Sequence, residues 1–73
     1  MMSIAGVYVI YGLAGLYIGQ SRDCVKRNER ETKLGMRWEI VERFDAPTLA
    51  ELSAAERKHA DRLAFEGHVL VSR

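Results

Sequence analysis

The stretch GVYVIYGLAGLYIGQSRDCVKR, from Gly6 to Arg27, decides how this 73-residue chain folds. Within it, Ala5–Tyr11 alternates, with Val7, Val9 and Tyr11 pointing one way and Tyr8 and Ile10 the other. β-Branched and aromatic residues at period two specify a strand. Gly12-Leu13-Ala14-Gly15 has a glycine at each end and suits a hairpin turn. Leu16–Gln20 is then a second strand, in which Leu16 and Ile18 oppose Tyr17 and Gly19. A suitable register places Tyr8 and Tyr17 on one face of the hairpin.

A helix is expected next. Ser21 is a favourable N-cap and Asp23 suits the first turn. The helix should run to about Leu34 and stop at Gly35, with Cys24, Val25 and Leu34 as its thin apolar face. Arg27 lies between Cys24 and Leu34 on the wheel, with Glu31 on the same side. Trp38–Phe44 is expected as a third strand, with Trp38, Ile40 and Phe44 on one side and Val41 on the other. Asp45-Ala46-Pro47-Thr48 opens a second helix that reaches about Phe65, with the proline near its first turn. The tail His68–Ser72 is a short apolar run able to pack or pair at a sheet edge. The order β-β-α-β-α plus tail gives an α+β fold: a small three-stranded antiparallel sheet flanked by helices.

Composition frames this reading. Residues 1–73 are expected to form a single domain, too small to bury a large core. Hydrophobic residues make up 48 % and charged residues 29 %, which is ordinary for a soluble chain. Cys24 is the only cysteine, so no intrachain disulfide forms, and a lone thiol fits a reducing, cytoplasmic setting. No apolar run approaches the roughly 20 residues of a membrane span. Net charge is +1, which argues against strong non-specific polyanion binding. The charge is uneven, however: Arg22–Arg37 holds six basic residues against three acidic ones. That run is either a solvated helix face or a local phosphate-contacting patch.

One carboxylate stands out. With Leu49 at the origin of the second helix's wheel, Leu52, Ala60 and Leu63 define a core face, and Glu56 falls in its middle. Glu51 lies on the polar side. A carboxylate aimed at a sheet takes a cation or a hydrogen-bond donor, because an isolated buried charge is too costly. Arg27 is one candidate partner and a hard cation such as Mg²⁺ is another; otherwise Glu56 sits at the rim and reaches water. His59 follows three residues later and reads as a half-exposed neighbour. His68 reads as loop.

Gly6-Val7-Tyr8, followed by Tyr17-Ile18-Gly19, with Arg27 at the head of a helix and Glu56 inside the last long helix, resembles the GIY-YIG nuclease superfamily. The likeness covers nearly the whole chain, and the ending Leu70-Val71-Ser72 is similar to the Leu-x-Asn that closes many members. The resemblance implies a divalent-metal-dependent endonuclease acting on DNA phosphodiesters, with one active site per chain and low sequence specificity. In those terms Tyr8 and Tyr17 are the signature tyrosines, one of them orienting the attacking water. Arg27 contacts the scissile phosphate, and Glu56 holds a single Mg²⁺ or Mn²⁺. Gly19, Ser21, Lys26, Glu31 and Ser72 fall at substrate-contacting positions. Expected partners are DNA, a targeting protein and a second copy of the chain.

Two positions depart from the pattern. Glu31 stands where many members carry a histidine, and an Arg27–Glu31 pair would hold the guanidinium back. Ser72 replaces the terminal asparagine and lacks its amide donors. They leave open a second reading, a degenerate module that binds nucleic acid or a protein partner without cleaving.

Overall fold

A computed structural model describes residues 4–27, 29 and 35–71. Its elements are β1 (Ala5–Tyr11), β2 (Leu16–Ser21), α1 (Cys24–Arg27), β3 (Arg37–Phe44) and α2 (Leu49–Phe65). The three strands form an antiparallel sheet in the order β2-β1-β3, so the fold is α+β with helices on a small sheet. β1 is the central strand because both its faces are apolar: Ala5 through Ile10 are all buried.

The hairpin register pairs Tyr8 with Gly19 and Ile10 with Tyr17. Directly opposed residues share a face, so the two tyrosines do lie on the same side of the sheet. There Tyr8, Ile10 and Cys24 form one core, with Tyr17, Met36, Trp38 and Ile40 packed on it. The opposite face carries Val9, Leu16 and Leu63, flanked by Ile18, Val41 and Leu70. α1 therefore covers one face through Cys24 and α2 the other through Leu63.

β3 departs from simple alternation. Val7 pairs with Glu42 but Tyr8 pairs with Ile40, so Val41 is an extra residue in a β-bulge. The bulge reverses the side-chain sense along the strand. Trp38 and Ile40 stay on the tyrosine face, whereas Phe44 pairs with Ala5 and belongs to the α2 face. The expectation that Phe44 shares a side with Trp38 and Ile40 fails for this reason.

Helix α1 starts later than Ser21 would set it. Ser21 ends β2, and its Oγ accepts from the Asp23 N–H at 3.0 Å. Asp23 is the cap: its Oδ1 accepts from the Lys26 N–H at 3.1 Å. Cys24 is fully buried and fastens the first turn to β1, its N–H donating to the Ile4 carbonyl at 2.7 Å and its thiol to the Gly6 carbonyl at 3.5 Å. Apart from helical Glu29, the expected continuation toward Leu34 lies outside the described residues.

Helix α2 is entered through a strained turn. Ala46 has φ of 46°, Pro47 is buried ahead of the helix, and Thr48 is the N-cap. Proline thus stands next to the first turn, immediately before the cap. Thr48 Oγ1 accepts from the Glu51 N–H and Glu51 Oε1 from the Thr48 N–H, both at 3.1 Å, a reciprocal capping box. The tail returns to the sheet: Leu16 N–H donates to the Val69 carbonyl and Val71 N–H to the Leu16 carbonyl, each at 2.8 Å. Leu70 thus bridges Leu16 in parallel, on the outer edge of β2. No helix among the described residues is long and apolar enough to cross a membrane.

Candidate functional site

The two tyrosines of the signature have different surroundings. Tyr8 is 1 % exposed and lies within the α1-side core. Its ring passes over Gly19, where an added Cβ would stand 2.6 Å from both Cζ and the phenolic oxygen. Tyr17 is half-buried at the margin of the same cluster. The glycines of the motif have a steric cause here. Gly6 is met by the carbonyl of Glu42 across the sheet, and Gly19 is met by Tyr8. No side chain fits at either position without displacing β3 or the phenol.

Arg27 and Lys26 lie on α1 and are exposed. With Ser21 and Asp23 they line an open cavity of about 370 Å³. Two cations stand against one carboxylate there. The Asp23 carboxylate caps the helix, and the Arg27 guanidinium has no hydrogen-bond or salt-bridge partner among the described residues. A basic recess whose guanidinium has no partner among the described residues suits a phosphate group. Glu31, the expected restraint on Arg27, lies outside the described residues, as does Ser72. Neither tyrosine nor Glu56 lines this cavity.

Glu56 is placed differently from its wheel position. The buried stripe of α2 is Leu52, Ala55, His59 and Leu63, whereas Leu49 is 64 % exposed. The stripe is rotated away from Leu49, and His59, not Glu56, sits at its centre. Glu56 is half-buried on the flank facing β2. One turn earlier on that flank Ser53 accepts from Gln20 Nε2 of β2 at 2.9 Å. Because α2 covers the face opposite the tyrosines, the four signature side chains fall into three places. Tyr8 and Tyr17 are on one face, Glu56 is at the β2 flank of the other, and Arg27 lies beyond the end of β2.

Along the β2–α2 seam there are single oxygen donors only, and among the described residues no group of three or more His, Cys, Asp or Glu side chains could hold a metal ion. Gln20 Oε1 is buried with no hydrogen-bond partner among the described residues. The Glu56 carboxylate also makes no hydrogen bond or ion pair with a described residue. A lone carboxylate completed by waters and a substrate phosphate is a common way to hold Mg²⁺. In ligand type, Glu56 therefore suits the group that the resemblance implies.

Sequence reasoning missed one polar cluster. His59 is buried, with Nε2 2.6 Å from Glu42 Oε1 of β3 and Nδ1 3.2 Å from Arg62 Nη2. Arginine has only protons to give, so Nδ1 accepts and the imidazole proton sits on Nε2, donated to Glu42. Arg62 is held in turn by Glu66 at 2.9 Å. The 3,4,4 spacing of Leu52, Ala55, His59 and Leu63 was the available signal. Choosing exposed Leu49 as the origin concealed it.

Comparison of the chain with protein-family models, with curated proteins and with solved structures gives no match, so the family likeness rests on these residues alone.

Proposed function

We propose that the chain is a GIY-YIG-type endonuclease that hydrolyses DNA phosphodiester bonds, one strand per active site. The observation that carries this reading is the hairpin register. It sets Gly-x-Tyr against Tyr-Ile-Gly, with Tyr8 over Gly19, and delivers the chain directly into the Lys26–Arg27 recess. In this reading Arg27 binds the scissile phosphate and meets the charge that grows on its non-bridging oxygens during attack by water. Tyr17, the more accessible of the two phenols, orients that water. Tyr8 supports the site from beneath. Glu56 is the residue that would hold Mg²⁺ or Mn²⁺, which when bound supplies Lewis-acid polarisation of a phosphoryl oxygen. Tyr17 and Glu56 stand on opposite faces of the sheet at β2, whose outer edge is taken at Leu16 by the returning tail, so a substrate would reach both only past the Ser21 end of the strand. Few exposed groups remain for base reading, so targeting falls to DNA structure, a partner protein or a second copy of the chain.

One observation favours the second reading, a module that binds nucleic acid without cutting it: the tyrosines and Glu56 occupy opposite faces of the sheet. Supercoiled plasmid incubated with Mg²⁺ or Mn²⁺ separates the two. The nuclease converts it to open circle, and Arg27→Ala lowers the rate by about 10²–10³-fold, the usual cost of losing a transition-state charge contact. Glu56→Ala abolishes the metal-dependent part. Intact plasmid together with a salt-sensitive gel shift assigns the chain to the non-cleaving class.

A further inference from the structure

A second cavity, of about 430 Å³, lies at the same end of the sheet as the basic recess. It is lined by Ala5 at the start of β1, Arg22 just after β2, and Phe44, Asp45, Ala46 and Pro47 where β3 turns toward α2. In an antiparallel sheet of this order those three strand ends coincide. The two cavities share one piece of chain: Ser21 and Asp23 line the basic recess, and Arg22 between them lines this one.

Its lining is unlike that of a phosphate site. Phe44, Ala5 and Pro47 supply apolar surface, and Arg22 and Asp45 supply one charge of each sign. Those two charges line the same cavity without forming a salt bridge to each other or to another described residue. Such a lining suits a neutral planar group with polar edges. Ala46 adds a further mark: a non-glycine residue held at φ of 46° in the cavity wall. Backbone strain of this kind concentrates where a loop must keep a particular shape.

We propose that this cavity is a nucleobase subsite: it takes the base of an unpaired nucleotide adjacent to the phosphate held by Lys26 and Arg27. The base stacks on Phe44, Asp45 accepts from its polar edge, and Arg22 contacts the backbone passing between the two cavities. The preferred substrate is then DNA with a single-stranded nucleotide beside the contacted phosphate. The inference rests on the phosphate-binding reading of the Lys26–Arg27 recess and not on cleavage.

The test is fluorescence anisotropy with a labelled 12-nucleotide single strand and a matched probe carrying abasic sites at its central positions. The intact strand is expected to bind the wild-type chain about tenfold more tightly, the usual scale of one base–aromatic stack. Phe44→Leu should remove most of that difference, whereas Arg27→Ala should weaken both probes alike. Equal wild-type affinity for the two probes overturns the subsite and leaves the phosphate reading standing. A difference that persists in Phe44→Leu also overturns it. No binding of either probe removes both readings together. Should Phe44→Leu not fold, backbone amide signals decide: those of Ala5 and Ala46 shift with the intact strand and stay still with the abasic one. Equal shifts with both probes overturn the proposal.

Discussion

Tyr8 and Gly19 face each other across the hairpin, and the tip of the Tyr8 phenol occupies the space in which a side chain at position 19 would begin. Gly19→Ala would place a carbon 2.6 Å from Cζ and from the hydroxyl oxygen of a residue that is 1 % exposed. The Tyr8 ring is packed with Ile10 and Cys24, so making room for the new carbon disturbs that core. The expected loss is about 1–3 kcal/mol, as for other overpacked cores. Urea unfolding of Gly19→Ala measures it, and adding Tyr8→Leu, which shortens the obstructing ring, should recover part of it. A variant as stable as the parent would show that Tyr8 rotates aside freely.

The Glu42–His59 contact joins β3 to the buried stripe of α2. Glu42→Ala leaves the His59 Nε2–H facing a vacated space, and an unsatisfied buried donor costs about 1–3 kcal/mol. Glu42→Gln keeps an acceptor at that place and should cost less. A double-mutant cycle with His59→Ala gives the coupling directly. Additive losses would mean that the pair contributes nothing beyond packing.

Much of this fold was legible because period-two alternation is a strong local signal. Ala5–Tyr11 and Leu16–Gln20 are strands with the two tyrosines on one face, and the tail does return to an edge. The Val41 bulge was not legible: Trp38–Phe44 reads as continuous alternation, and only pairing with β1 shows that one residue is inserted. The cap of α1 moved from Ser21 to Asp23 because β2 runs one residue further, to Ser21 itself. The site was harder to read. A wheel gives the order of residues around a helix but not its origin, and Leu49 is exposed because it opens the helix beyond the sheet's cover. Nor does element order say which face of the sheet α2 will choose. That choice, made by the β3–α2 turn, sets Glu56 on the side away from Tyr17.

Burial raises the Cys24 thiol above its ordinary value of 9.0, and the neighbouring Asp23 charge raises it further. The unfolded chain therefore ionises this thiol at lower pH than the folded chain does. A raised folded-state pKa gives stability that is complete below the unfolded value and lost as pH climbs through the folded one. Melting temperature should thus hold up to about pH 8 and fall from about pH 9 upward. Tyr11, also raised by burial and by its bond to Glu39, adds to the fall above pH 10.0. Cys24→Ala should melt lower at neutral pH, through lost packing, yet show a shallower decline between pH 8 and 10. An unchanged slope would place the alkaline sensitivity elsewhere.

Ala46 offers the opposite kind of test, a change that should stabilise. At φ of 46° its Cβ crowds the backbone, which costs an L-residue roughly 1–2 kcal/mol. Glycine removes that cost but gives the unfolded chain more freedom, a loss of about 0.4–1 kcal/mol. The balance favours Ala46→Gly by up to about 1 kcal/mol, a rise of several degrees in the melting temperature of a domain this small. The turn itself should persist, because buried Pro47 and the Thr48–Glu51 capping box hold its far side. If the loop's shape serves nucleobase binding, the same variant should bind single-stranded DNA more weakly while melting higher. Calorimetry and anisotropy on one preparation read both effects. A gain in melting temperature with unchanged affinity would assign the Ala46 strain to the entry of α2 alone.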